Sequence, residues 1–498
     1  MSDERIKNLR GPSRIAGPRG PARPVSKPPV AAKATSRTTG LKAAGQSKAK
    51  PANARGPRGD MTPRALAITV LARVSATDAY LNVVLDSQLD EHRPAEVRDA
   101  AFVTELCYGT TRRQLTLDYG LQQFCTHQLP TLENEVLSAL RIGAYQMFYM
   151  RVPKHAAVAD TVEALKRLGL QRATGFVNAV LRKMATLEAP PLPPLEPRPE
   201  HLSILHSHPL WLVQRWIRQF GPERAEAMLT ADNLPPSVVV RVNTARTTRD
   251  ALLKEFAEVG IEATAATMSS EGIIFSGVGR VEDVYGYAEG LWQVQDEAAQ
   301  LVGLYAAIPD EARVLDACAA PGGKACHLAQ RNTVVAIDLH ANKLHKITDE
   351  AKRLGLLDRL KTRAVDASKP LPEGLGDFHA VLIDAPCSGL GTLRRHPELR
   401  YRRKEEDLAE LHRLQRSILE NCQAAVAPGG LLIFAVCSTD PSEGQDQVEM
   451  FLRSHPDFTA EPPPASAGAF PNVQGYLRTL PGPEGADGFF AARLRRMY

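Results

Sequence analysis

Between residues 291 and 498 one pattern recurs five times: a short strand-like run, mostly apolar, that ends on an acidic residue or a cysteine. Val314-Leu315 leads into Asp316, Val334-Val-Ala-Ile337 into Asp338, 362–365 into Asp366, Ala380-Val-Leu-Ile383 into Asp384, and Leu431-Leu-Ile-Phe-Ala-Val436 into Cys437. Helical stretches of ten or more residues separate most of the runs. Such alternation predicts an α/β Rossmann-like domain, a mostly parallel sheet with helices on both faces. Parallel strands end along one edge, and ligands of such sheets bind beyond that edge. Asp316, Asp338, Asp366, Asp384 and Cys437 are therefore expected around one crevice.

At 498 residues the chain is too long for one core, and several domains are expected. From residue 61 the spacing is helical, with Thr62 placed to cap and Pro63 in the first turn. It continues through 97–124, 131–149, 155–168 and 173–186, predicting an all-helical domain over 61–187. Residues 188–200 are proline-rich and predict an extended linker. Residues 201–290 predict a small α+β module, with helices over 209–219, 222–231 and 250–259 and a strand at Val238-Val-Val-Arg-Val242. The domain with the repeated pattern spans 291–498.

Residues 1–60 carry 14 of the 61 Lys and Arg but 3 of the 56 Asp and Glu. The remaining 47 basic and 53 acidic residues leave the rest of the chain near −6, against +5 for the whole. A basic segment rich in Pro, Gly and Ala cannot bury enough surface to repay its ordering, so a disordered basic tail is expected. It suits loose contact with phosphates or serves only solubility. No apolar run is long enough to span a membrane, and no signal-peptide core opens the chain. Seven irregularly spaced cysteines do not make a disulfide framework, so a cytoplasmic setting is expected. A monomer is the expected state.

The stretch Asp316-Ala-Cys-Ala-Ala-Pro-Gly-Gly-Lys324 joins a strand to a helix through small residues, which let the backbone approach a ligand. It is neither G-x-G-x-x-G nor a Walker loop, which weighs against nicotinamide and NTP chemistry. Asp338 is placed for ribose hydroxyls and Asp366 for an adenine amino group, although either could simply cap a helix. The sharper signal is a pair of thiols. Asp384-Ala-Pro-Cys387-Ser ends one strand and Phe434-Ala-Val-Cys437-Ser the next. Cys107, Cys125, Cys326 and Cys422 are expected to be small core residues, and Cys318 a packing or contact residue in the turn. Near an acid and a helix start, a strand-end cysteine can become a nucleophile. No further ligands lie at zinc spacing, so no metal is expected. The run Leu393-Arg-Arg-His-Pro-Glu-Leu-Arg-Tyr-Arg-Arg-Lys404 is dense in guanidinium groups. Arg394, Arg395, Arg400, Arg402 and Arg403 are expected to meet RNA phosphates, with Tyr401 as a stacking face.

Over 61–498 these motifs resemble the RNA (cytosine-5) methyltransferases, most closely the bacterial Sun/RsmB type that modifies small-subunit ribosomal RNA. The motifs are Ala-Pro-Gly-Gly-Lys324, Asp384-Ala-Pro-Cys-Ser-Gly, the second Cys437-Ser and Asp487-Gly-Phe-Phe-Ala-Ala. Leu106-Cys-Tyr-Gly, Leu140-Arg-Ile-Gly and Phe176-Val-Asn-Ala are similar to a NusB-type RNA-binding domain. The resemblance implies S-adenosylmethionine as cofactor, lined by Cys318, Ala319, Ala320, Pro321, Gly322, Gly323 and Lys324, with Asp338 and Asp366 on its ribose and adenine. Asp384 would lie between cofactor and base. It also implies which thiol attacks, Cys437, and that Cys387 assists release; spacing leaves that choice open. Carbon 5 of cytosine is a poor nucleophile, and thiolate addition at carbon 6 makes it reactive, with Asp384 as the acid at ring nitrogen 3. The base must be unpaired or flipped outward for this. A transfer RNA substrate, or an inactive RNA-binding assembly factor, are the alternatives. Ala435-Val436 before Cys437 and Ser442-Glu-Gly-Gln-Asp446 after it depart from the family's usual residues.

Overall fold

The computed structural model describes residues 61–92, 96–483 and 485–498; the tail expected over 1–60 lies outside the described residues. The first domain has seven helices among the described residues: α1 Pro63–Ala76, α2 Leu81–His92, α3 Val97–Arg112, α4 Gln114–Gln122, α5 Asn134–Tyr149, α6 Lys154–Arg167 and α7 Gln171–Met184. Thr62 Oγ1 accepts the Ala65 N–H at 3.3 Å and Pro63 occupies the first turn, as the sequence predicts. The continuous 97–124 helix is instead two, broken at Arg113 (φ −108°, ψ 13°). Helix α2 was not anticipated. Its buried face mixes Leu81, Val84 and Leu85 with Gln88, while Val83 is exposed, so its amphipathic signal is faint.

Three helices follow, α8 Arg198–His206, α9 Leu210–Phe220 and α10 Pro222–Ala231. Helix α8 begins inside the expected linker, whose last three residues are thus helical. A four-stranded antiparallel sheet, in the order β2-β3-β1-β4, comprises β1 Val238–Val242, β2 Ala263–Ala265, β3 Gly272–Phe275 and β4 Trp292–Val294. Its core joins Val240, Val242, Ile273 and Trp292 to Leu252 and Phe256 of α11 (Arg249–Glu258). Strand β4 extends this sheet past residue 290.

The last domain holds the larger sheet: β5 Arg313–Ala317, β6 Thr333–Asp338, β7 Leu360–Ala364, β8 Phe378–Asp384, β9 Val426–Val436, β10 Phe458–Ala460, β11 Asn472–Val473, β12 Tyr476–Arg478 and β13 Phe490–Arg496. Its order is β11-β12-β13-β9-β8-β5-β6-β7, with β10 paired to β13. Strands β5 to β9 are mutually parallel. Strand β13 enters antiparallel between β9 and β12, an extension that the apolar runs did not announce. Helices α12 Glu297–Ala306, α13 Gly323–Ala329 and α14 Ala341–Leu354 contribute to the core on one face, and, after the single turn α15 Leu399–Arg402, α16 Asp407–Cys422 and α17 Gln445–Ser454 to that on the other. Cys326 and Cys422 are buried in these two cores, Cys107 and Cys125 in that of the helical domain. No helix among the described residues is long and apolar enough to cross a membrane.

Candidate active site

Strand order reverses at β5, which has β6 on one side and β8 on the other. Connections leaving neighbouring strands in opposite directions open a crevice over their C-terminal ends. The turn after β5 is one wall. Cys318 (φ 64°) and Gly322 (φ 109°) adopt left-handed backbone there. A Cβ on Gly322 would sit 3.1 Å from Ile347 of α14, so both conformation and closeness favour glycine. The Ala319 N–H donates to the Ile337 carbonyl at 2.9 Å, and the Ala320 N–H to Asp338 Oδ2 at 3.2 Å. Asp338 Oδ1 accepts the His340 N–H at 2.8 Å, so this carboxylate is held from two sides. The exposed ring of Pro321 completes the turn, and the Gly323 carbonyl accepts from Arg241 Nη1 at 3.0 Å.

Asp316 is fully buried, and neither carboxyl oxygen has a hydrogen-bond partner. Burial, then the charge of Asp384, pushes its pKa well up. A buried carboxyl without a partner fits a wall built to receive a ligand's donor. Asp366 is partly exposed and accepts from Ser368 N–H at 3.0 Å and Lys369 Nζ at 2.9 Å. Hydrogen bonds from Ser368 and Lys369 hold its pKa down.

Lys324, expected among the cofactor-lining residues, extends its side chain to Asp384. Its buried ammonium lies 2.7 Å from Asp384 Oδ2 and 5.0 Å from the centre of the Phe489 ring. Burial pulls its pKa down, but the charge and hydrogen bond of Asp384 outweigh this and raise it, helped by Cys437 and Asp316. Lys324 and Asp384 therefore form one ion-paired unit at the tip of β8.

The two thiols reach this unit from adjacent strands, β8 and β9, registered Asp384 to Ala435. Cys387 packs against the core on one face of the sheet and Cys437 against that on the other. Above the strand tips their sulfurs meet at 3.3 Å. The hydrogen bond to Cys437, then burial, then the charges of Cys437 and Glu443, push the Cys387 pKa well up. The segment around Asp487 closes the arrangement. Gly488 N–H donates to the Gly391 carbonyl at 2.7 Å, and Gly391 N–H to the Cys437 carbonyl at 3.1 Å. A Cβ on Gly391 would lie 1.8 Å from the Gly488 carbonyl oxygen, so only glycine allows this approach.

The arginine run does not form the phosphate-facing surface that its composition suggested. Arg400 is fully buried and donates to the carbonyls of Asp232 (2.7 Å) and Arg112 (3.1 Å) and to Asn233 Oδ1 (2.9 Å). The Tyr401 hydroxyl lies 2.9 Å from the Thr111 carbonyl. Arg402 donates to the carbonyls of Val74, Asp78 and Ala79, capping the C-terminus of α1. Arg394 is buried on the Gly482 carbonyl, and Arg395 bridges Asp296 and Asp487. Arg403 holds the Ser388 carbonyl at 2.9 Å, one residue after Cys387. These side chains bind one part of the chain to another because folded carbonyls and carboxylates satisfy guanidinium forks as well as phosphates do.

Several site residues carried no earlier expectation. Arg241, fully buried on a strand, reaches the glycine turn from the small module. Ser388, Ser438 and Glu443 form a buried cluster beneath the thiols. A serine immediately after each cysteine was the visible signal for that cluster.

Residues 304–495 match the family 16S rRNA methyltransferase RsmB/F, 61–186 the NusB family, and 208–282 the RsmF/B-like ferredoxin-like domain. The Ribosomal RNA small subunit methyltransferase B of Pseudomonas syringae pv. tomato is 37% identical over 87% of this chain and 97% of its own length. The Probable ribosomal RNA small subunit methyltransferase B of Bacillus subtilis is 33% identical over 87% and 98%. Among solved structures, PH0851 superposes with a TM-score of 0.75 at 24% identity, covering 87% of this chain and 98% of that one. NSun6 from Pyrococcus horikoshii, solved with SFG, gives 0.53 at 20%, covering 59% and 100%. These two likenesses concern the fold, and the agreement of sequence along nearly the whole length of the bacterial relatives settles the lineage: this chain belongs to the 16S rRNA methyltransferase RsmB/F family.

Proposed function

We propose that this protein transfers a methyl group from S-adenosylmethionine to carbon 5 of a cytosine in small-subunit ribosomal RNA, through a covalent adduct on Cys437. The observation that carries the reading is the 3.3 Å contact between Cys387 and Cys437 beside the Lys324–Asp384 pair. When bound, S-adenosylmethionine supplies an electrophilic methyl group on a sulfonium. The segment 318–324 would line it, Asp338 would hold its ribose hydroxyls and Asp366 its adenine edge. The partnerless carboxyl of Asp316 supports a donor-bearing ligand against the same wall.

The two thiols are not equivalent. The Lys324 ammonium senses Cys437, whereas Glu443 stands against Cys387. A positive neighbour favours thiolate and a negative one favours thiol. As the family resemblance implies, Cys437 is the thiol that adds to carbon 6 of a flipped-out cytosine. The Lys324–Asp384 unit delivers a proton to ring nitrogen 3 as the electrons shift, which leaves carbon 5 nucleophilic. After methyl transfer a base takes the carbon 5 proton, ring nitrogen 3 returns its proton to the Lys324–Asp384 pair, the carbon 5–carbon 6 double bond re-forms and Cys437 departs as thiolate. Cys387, in contact with that sulfur, assists this last stage. RNA as partner is supported by the NusB-family match and by the names of the relatives.

The test is methyl incorporation from labelled donor into small-subunit ribosomal RNA, with 5-methylcytosine identified in the digest. Wild-type protein should label a cytosine, and Cys437→Ala should abolish the signal. Undiminished labelling by Cys437→Ala would remove the covalent mechanism, and labelling of another base would remove the assigned chemistry.

A further inference from the structure

Glu443 follows Cys437 by six residues and is fully buried. Its Oε1 accepts the Ser388 N–H at 2.8 Å and Gln415 Nε2 at 3.1 Å. Its Oε2 accepts the Ser438 hydroxyl at 2.6 Å and also the Ser388 hydroxyl. The two serine oxygens are 3.1 Å apart. Gln415 in turn donates to the Pro386 carbonyl at 2.9 Å, just ahead of Cys387. One carboxylate thus grips the residue after each thiol, with a relay to the residue before one of them. None of these partners is a cation. A buried carboxylate satisfied only by neutral donors is an expensive way to tie two loops, and apolar packing would hold them as well. What apolar packing would not supply is fixed direction: hydrogen bonds to both serines set where each adjacent Cα–Cβ bond points.

We propose that Glu443 is a positioning residue, holding the Cys387 and Cys437 sulfurs in contact through Ser388 and Ser438. The inference rests on the two-thiol mechanism above. It predicts that Glu443 governs turnover and not RNA binding.

Two readouts test it on the full-length protein. The first is closure of a Cys387–Cys437 disulfide by diamide, which takes up the two electrons and two protons, followed by peptide mass spectrometry without RNA. The second is kcat and KM for RNA methylation. E443A should slow disulfide closure and lower kcat, each on the order of 10-fold to 100-fold, the loss expected when reacting groups shift by about an ångström. KM for RNA should stay within about twofold, since the groups lost touch no substrate. E443Q, which keeps an acceptor for the Ser388 N–H, should fall between. If E443A does not fold, S438A carries the same expectation for the Cys437 arm alone. Wild-type closure rates in folded E443A or S438A, or a raised KM with unchanged kcat, overturn the proposal. Those results leave the covalent mechanism standing, because it is tested separately by activity in Cys437→Ala.

Discussion

Replacing Arg400 by methionine separates an arginine that holds the protein together from one that holds RNA. The side chain is fully buried, and its three shortest hydrogen bonds reach the Asp232 and Arg112 carbonyls and Asn233 Oδ1. Methionine fills similar space but leaves three acceptors without a donor, at about 1–2 kcal/mol each. Relief of the buried guanidinium's desolvation offsets part of this, and burial does lower its pKa. A net loss of about 2–4 kcal/mol is expected. Urea unfolding followed by tryptophan fluorescence reads it, since buried Trp216 lies 6.0 Å, centre to centre, from the His208 ring, which bonds Asp232. In parallel, RNA affinity is measured across salt concentrations. Loss of a phosphate contact would flatten the log–log slope by about 0.7 on single-stranded RNA; Arg400→Met should leave it unchanged. Stability within about 0.5 kcal/mol of wild type together with a flattened slope would refute the internal role.

Three further outcomes follow from named contacts. Asp338→Ala should raise KM for the methyl donor roughly 10-fold to 100-fold, the worth of one or two charge-assisted hydrogen bonds, while RNA KM holds; steady-state kinetics with each substrate varied checks this. Asp384→Asn should lower kcat and destabilise the fold together, because Lys324 keeps a buried charge without its anion; unchanged thermal stability would contradict the ion pair. Hydrogen bonds from Arg495 and Arg493, with their charges, hold the Glu461 pKa down at about 2 against burial, so its folded value lies below its unfolded one. Its contribution is present above about pH 4.5 and lost as pH falls toward about 2. The stability gap between wild type and Glu461→Gln should therefore narrow across that window in pH-dependent urea titrations.

The strand ends were legible because the runs of β5, β6, β8 and β9 are largely buried and stop at one acid or cysteine, a pattern that fixes direction as well as place; β7, largely exposed, follows the pattern least. Asp338, Asp366, Asp384, Cys387 and Cys437 all fall at or just beyond the tips of β6 to β9. What composition could not express is the partner of a charge. Arg400 and Arg402 satisfy backbone carbonyls from the helical domain and the loops beside it, and nothing in a single sequence distinguishes those acceptors from phosphate oxygens. Lys324 belongs to the glycine turn by sequence, yet its long side chain crosses to Asp384, sixty residues later. Glu443 was visible only as an acid in a divergent segment; its meaning depends on two serines that the fold brings together. Strand β13 was obscured because Phe490–Arg496 carries three arginines in its last four residues, although it is paired between β9 and β12.

The central claim, that one particular sulfur bonds the base, is tested most directly by locating the bond. Cys387→Ala protein is incubated with donor and RNA, denatured, treated with nuclease and trypsin, and the residual nucleotide mass is mapped on peptide 417–453, which holds Cys437 and Cys422. Fragment ions should place the mass on Cys437. A nucleotide on any other residue, or 5-methylcytosine forming at the wild-type rate with no adduct at any time point, would contradict the account.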